Sequence, residues 1–113
     1  MNAANQAATE KAEQLDKLAR KQETADFLAL MNTQQGRRFM WSLLSKCNLF
    51  ATSFNPHGGL MNIAEGKKQI GYQYLEAINQ LCPDLYALMT QEANEAVRNR
   101  QLQLDNVEEE SND

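Results

Sequence analysis

The chain has 113 residues, 42% of them hydrophobic, and a formal net charge of −4, which limits it to one domain with a modest core. Cys47 and Cys82 are far from any CxxC spacing and have no histidine beside them, so the sequence predicts neither a metal site nor a disulfide-stabilised secreted fold. No apolar run is long enough to span a membrane, and the N-terminus, rich in Ala, Gln and Glu, does not resemble a signal peptide.

Charge is distributed unevenly along the chain. Residues 27–82 hold five basic and two acidic side chains, a net charge of +3, whereas residues 83–113 hold two and eight, a net charge of −6. Large hydrophobic residues concentrate in the same central part, and a folded module of that size is marginally stable alone. We therefore expect self-association or a partner. The predicted parts are a polar helical arm at 1–24, a helical domain at 25–100 and an acidic tail at 101–113.

The first predicted helix covers residues 3–22, which contain no Gly or Pro and are rich in good helix formers. Lys11 and Gln22 interrupt its weak apolar stripe, so we expect a solvated helix rather than a coiled coil. A short helical turn at 25–30 is predicted to follow it.

The second predicted helix runs over about 32–47, and either Asn32 or Thr33 caps its first amide groups. Gly36 lies beside the apolar face, which indicates the close approach of another helix. At ~100° per residue, the core face consists of Phe39, Met40, Leu43, Leu44 and Cys47.

Residues 48–61 contain Asn-Pro and Gly-Gly and predict a long connection before a third helix at 62–80. Gly66 and Gly71 weaken this helix locally, so close packing has to compensate. Its predicted core stripe consists of Ile63, Ile70, Tyr74, Ala77, Ile78 and Leu81.

The last predicted helix covers 83–100 and opens with Pro83 and Asp84, both of which favour a first helical turn. The acidic end beyond it has little to bury, and we expect it to be disordered. The predicted fold class is all-α, a small irregular three-helix core (about 32–47, 62–80 and 83–100) with an additional N-terminal helix.

The sequence shows no cluster of residues typical of an enzyme. His57 is the single histidine, and an isolated loop histidine is more often solvated than catalytic. Neither GxxxxGK[ST] nor GxGxxG occurs. We expect no catalytic residue, no cofactor and no metal.

Arg37 and Arg38 are the main candidates for contact with a partner. Trp41 follows one helical turn later, where a guanidinium can stack on the indole. We predict a contact surface formed by Arg37, Arg38, Trp41 and Phe54, with the connection at 50–61. In the simpler alternative, Trp41 is partly buried and an arginine covers it. Nucleic-acid binding through these residues is not favoured, because the chain has no run of basic residues and no known base-reading motif.

A second basic pair, Lys67-Lys68, follows Glu65 in the third predicted helix. Lys67 projects toward the predicted core stripe and has to extend past it or meet an acid. We predict an internal charge junction in which Glu65 pairs with Arg37 or Arg38 and joins the second and third helices. The predicted members are Arg37, Glu65, Lys67 and Lys68.

Between Phe27 and about Met89, short motifs follow one another in a definite order. They are Phe27-Leu28, Gly36-Arg37-Arg38, Trp41, Leu43-Leu44, Cys47, Phe50, Ser53-Phe54, Glu65-Gly66, Ile70-Gly71, Pro83-Asp84 and Tyr86. In this order they resemble the Bbp-nineteen-like domain family of small bacteriophage proteins. Two features depart from the family pattern: Lys67-Lys68 replaces arginines, which weakens bidentate pairing with an acid, and the connection is rich in glycine.

The resemblance implies a phage-encoded protein located in the host cytoplasm, the virion or both. Its implied role is virion assembly or genome delivery, as a minor structural, ejected or accessory protein that contacts other phage proteins or itself, and no membrane. Two alternatives stay open: a small DNA-binding protein of packaging or replication, and a host-directed inhibitor whose acidic tail mimics nucleic acid.

Overall fold

The computed structural model describes residues 2–50 and 56–112, and within these ranges the chain forms four helices and no strand. The all-α prediction is confirmed. The helices are α1 (Ala3–Met31), α2 (Gln34–Lys46), α3 (Gly58–Leu81) and α4 (Pro83–Asn112).

Local sequence chemistry explains several helix ends. Thr33 caps α2: its backbone is extended, and its hydroxyl accepts a hydrogen bond from the Gly36 amide at 2.9 Å. Asn48 follows the end of α2 with a φ of 63°, the left-handed conformation that commonly terminates a helix. Pro83 and Asp84 occupy the first turn of α4. Of the two predicted candidates, Thr33 and not Asn32 is the N-cap of α2, and the predicted first-turn position of Pro83 is confirmed.

α1 is longer than predicted at its C-terminal end, and α3 is longer at its N-terminal end. α1 continues without interruption to Met31, so the predicted break before 25–30 is wrong, and the polar arm and the start of the domain share one helix. No Gly or Pro lies within α1 to interrupt it. α3 begins at Gly58 instead of Asn62, with the Gly-Gly pair in its first turn.

The C-terminal tail is helical, and the prediction of disorder beyond Arg100 is wrong. α4 extends to Asn112. Residues 101–112 contain no Gly or Pro, and the Gln101 side chain donates a hydrogen bond to Asp105 one turn later at 3.0 Å. Local support of this kind holds the helix here, since every residue from 94 to 112 is exposed.

The molecule is extended, with dimensions of 85 × 39 × 20 Å. Its radius of gyration of 21.4 Å far exceeds the ~13 Å of a compact chain of about 100 residues. Residues 2–26 are exposed throughout, like residues 94–112. The first part of α1 and the last part of α4 therefore project from a small packed centre.

All four helices contribute to that centre. Its largest fully buried side chains are Met31 of α1, Leu44 of α2, Ile78 of α3 and Met89 of α4. The predicted three-helix core is therefore incomplete, because the last turn of α1 belongs to it. Other α1 residues packed against this core are Phe27, Leu28 and Leu30.

The predicted core faces of α2 and α3 are correct only in part. On α2, Met40, Leu44 and Cys47 are buried, whereas Phe39 is 61% exposed. On α3, Ile78 is buried, but the core-facing positions otherwise lie one residue after the predicted ones. The predicted core residues of α3 that are exposed are Ile63, Ile70, Tyr74 and Leu81.

Gly71 explains which face of α3 turns inward. A Cβ atom at Gly71 would lie 2.8 Å from Cγ of Leu49 and 2.9 Å from Cβ of Cys47, closer than packed atoms allow. The end of α2 thus approaches the α3 backbone directly at this glycine. The inward face is selected by its small residue and not by its largest apolar residues.

We expect Cys82 to react slowly with iodoacetamide at mildly alkaline pH. Burial raises the pKa of its thiol, and only the thiolate is nucleophilic. Alkylation of the folded chain should be roughly tenfold slower than alkylation of the chain in urea, as followed by mass spectrometry of the Cys82 peptide. Equal rates in the two conditions would contradict the buried position.

Candidate functional site

Arg37, the first of the predicted contact residues, is buried between three helices. Its Nε atom donates a hydrogen bond to Oε1 of Glu92 on α4 at 2.5 Å. Its Nη1 atom donates to the backbone carbonyl of Met31, in the last turn of α1, at 3.0 Å. The side chains of Arg37 and Glu92 are only 10% and 16% exposed. Arg37 therefore joins α2 to both α1 and α4.

The turn between α1 and α2 places Arg37 in this position. A Cβ atom on Gly36 would lie 1.7 Å from the Leu30 carbonyl oxygen, so only glycine lets α2 start this close to α1, as its sequence position predicted. The next residue, Arg37, then faces the end of α1, where helix carbonyls lack partners within the helix. A cation is favourable there because it complements the negative end of the helix dipole.

The acid that pairs with Arg37 is Glu92, and not the predicted Glu65. Glu65 is exposed on α3, as is Lys67, and Lys68 is partly buried there. The predicted junction between α2 and α3 is replaced by a pair between α2 and α4. Sequence reasoning missed Glu92, although one signal was present: it follows Met89 by three positions and so lies on the apolar face of α4.

A cleft of about 170 Å³ opens between α2 and α4 beside this ion pair. It is smaller than the ~300 Å³ at which small-molecule sites typically begin, and it has the size of a single side chain. Oε2 of Glu92 is buried without a hydrogen-bond partner in the described part of the chain. The cleft is lined by Gln34, Arg37, Arg38, Trp41, Met89, Glu92, Ala93 and Ala96.

Arg38 and Trp41 lie at the outer edge of the cleft. Arg38 is exposed, and Trp41 is half-buried. The Trp41 ring stacks on Phe50, with a centroid separation of 4.8 Å and an interplanar angle of 23°, which suits aromatic pairs. Within the described residues, Trp41 thus stacks on Phe50 and not on an arginine. Residues 51–55 of the predicted contact loop, including Phe54, lie outside the described residues.

The geometry brings together three of the four predicted contact residues but gives them different tasks. Arg37 is internal, Trp41 is shared between packing and surface, and Arg38 is free to meet a partner.

In residues 2–50 and 56–112, no group of three or more His, Cys, Asp or Glu side chains is placed to hold a metal ion. None of the described helices is both long and apolar enough to cross a membrane.

Comparison with known proteins gives no relative. No family model, no curated protein and no solved structure matches the chain. The resemblance to the Bbp-nineteen-like family therefore rests on the order of its motifs alone, and the surfaces of the molecule have to carry the functional argument.

Proposed function

We propose that this chain is a non-enzymatic bacteriophage protein that acts through protein–protein contacts in virion assembly or genome delivery. It would work in the host cytoplasm, in the virion or in both, as a minor structural, ejected or accessory component. The phage assignment is supported by the motif resemblance, and the mode of action by the exposed apolar surface of an extended helical chain.

The apolar surface is the observation that carries the protein-contact proposal. Isolated exposed hydrophobic residues are ordinary on any protein, but here they recur on helices that extend away from the core. Burying them against a partner would contribute ~25 cal/mol per Å² of apolar area. The large hydrophobic residues that are at least half exposed are Leu15, Leu18, Phe39, Phe50, Leu60, Ile63, Ile70, Val97, Leu102, Leu104 and Val107.

The ion pair of Arg37 favours protein contacts over nucleic-acid binding. Phosphate binding through the Gly36-Arg37-Arg38 motif would use both guanidinium groups. Arg37, however, is bound to Glu92 and to the Met31 carbonyl, which leaves Arg38 alone of the pair for an external anion. One exposed arginine beside an aromatic residue suits a protein interface.

Mass spectrometry of purified particles and of assembly intermediates from infected cells tests this proposal. We expect the chain in at least one of these fractions, at a reproducible ratio to the major capsid protein. Its absence from both would contradict an assembly or delivery role. Retention on DNA at low salt, falling steeply as salt is added, would support the DNA-binding alternative instead.

A further inference from the structure

α3 carries two parallel rows of mostly apolar residues, offset from each other by one position. The inner row, which includes Gly71 and Ile78, packs on the core. The outer row holds larger apolar side chains and faces solvent: Ile63 is 58% and Ile70 is 52% exposed. We call the outer row of α3 the set Ile63, Lys67, Ile70, Tyr74, Ala77 and Leu81.

We propose that the outer row of α3 is a dimerisation surface that packs against the same row of a second copy of this chain, with the two α3 helices antiparallel. This inference deepens the proposed function, since it rests on a chain that works through protein contacts, and it names one partner and one surface.

The spacing of the outer row supports a helix pair. Its members are separated alternately by four and three positions, which is the pattern of a coiled-coil seam. The pattern is the same in both directions, so a two-fold axis pairs the row with itself. In this register Ile63 lies opposite Leu81, Lys67 opposite Ala77, and Ile70 opposite Tyr74.

Lys67 determines the direction of the pair. Parallel helices in register would place the two Lys67 ammonium groups in one layer, where like charges repel. The antiparallel arrangement instead places Lys67 opposite Ala77, whose small side chain leaves room for the lysine stem. The ammonium group then extends toward the groove beside Ala77, which Glu23 of α1 also lines.

The edges of the outer row allow two acidic chains to meet there. Gly66, Gln73 and Gln80 flank the row on the side away from the core, and none of them is charged. The net charge of the whole chain is −4, and most of its acidic residues lie on the projecting parts of α1 and α4. Like charges are thus not opposed along the seam.

The second copy can reach the outer row without disturbing the core. Each outer-row residue precedes an inner-row residue by one position, which places the two rows ~100° apart around the helix. Shallow grooves continue the surface at both ends. Phe27 of α1 lies beside Tyr74 and Leu81, and Lys46 of α2 lies near Ile63.

Sedimentation velocity of the full-length chain over roughly 1–300 µM tests the proposal, because a seam of about 28 Å predicts a small interface of micromolar affinity. We expect a monomer–dimer equilibrium in the wild type and at least a roughly tenfold weaker one in Ile70→Asp. Phe39→Asp is the matched control: it places the same charge at a similarly exposed apolar site on α2 and should dimerise like the wild type.

Two variants that each add one exposed cysteine test the antiparallel register. In a glutathione redox buffer, an equimolar mixture of Ile70→Cys and Tyr74→Cys should form the mixed disulfide faster than either variant links to itself. The wild type supplies the background, since its own Cys47 and Cys82 are buried. Fastest linkage of Ile70→Cys to itself would indicate a parallel pair and overturn the proposal.

A monomeric wild type, or an unchanged dimer in Ile70→Asp with native circular dichroism, would also overturn it. These results are distinguishable from failure of the proposed function. If the chain is monomeric but is found in particles, the dimer proposal fails and the proposed function stands. If the chain dimerises but is absent from particles and intermediates, the proposed function fails and the dimer proposal stands.

Discussion

Replacement of Arg37 by Met is expected to lower the free energy of unfolding by about 2–4 kcal/mol. Methionine keeps the unbranched apolar stem of the side chain but leaves the buried Glu92 carboxylate unpaired and removes the donor to the Met31 carbonyl. Urea unfolding followed by circular dichroism measures the change. All variants have to be compared at one chain concentration, since self-association adds to apparent stability.

Arg38→Met is the matched control, because it makes the same substitution one residue later at an exposed site. Arg38→Met should change the free energy of unfolding by no more than about 0.5 kcal/mol. The double variant Arg37→Met with Glu92→Met should be less destabilised than the sum of the single variants, since no unpaired charge is left. Strict additivity, or equal losses in Arg37→Met and Arg38→Met, would contradict the internal role of Arg37.

Features that depend on neighbouring residues were predictable from the sequence. The cap at Thr33 and the start of α4 at Pro83 are determined within a few positions. The fold class follows from helical periodicity in the same way. Disorder is the wrong prediction for the tail beyond Arg100 because a lack of apolar residues does not imply a lack of helix: helix propensity and burial are separate properties.

The inward face of α3 could not be derived from periodicity. Both of its rows satisfy the same alternation of three and four positions, and the outer row has the larger apolar residues. What decides between them is the approach of Cys47 and Leu49 to Gly71, a contact between distant parts of the chain. Tertiary packing therefore overrides the apparent hydrophobic stripe.

The candidate site shows the same limit. Arg37 was identified from its motif, but its partner Glu92 lies 55 positions away, and the sequence contains 15 acidic residues. Glu65 was selected because it precedes a second basic pair, which is no physical reason for contact. The position of Glu92 on the apolar face of α4 was the better criterion, because an acid on such a face requires a partner.

Replacement of Gly36 by Ala is expected to destabilise the fold by about 2 kcal/mol or more. Alanine is the better helix former by ~1 kcal/mol, but its Cβ atom would lie 1.7 Å from the carbonyl oxygen and 2.6 Å from the carbonyl carbon of Leu30. Backbone atoms cannot rotate away as a side chain can, so α1 and α2 have to move apart. Thermal unfolding followed by circular dichroism measures the loss.

Gly66→Ala is the control that separates this contact from helix propensity. Gly66 is also helical, but a Cβ atom there would have no neighbour within 4 Å, so this substitution should stabilise the chain by about 0.5–1 kcal/mol. Opposite signs for the two substitutions would locate the cost at the α1–α2 contact. Gly36→Ala should also reduce the coupling free energy between Arg37 and Glu92 that the double-mutant cycle measures. The reason is that the pair depends on how closely α2 starts beside α1. An unchanged coupling free energy would contradict this dependence.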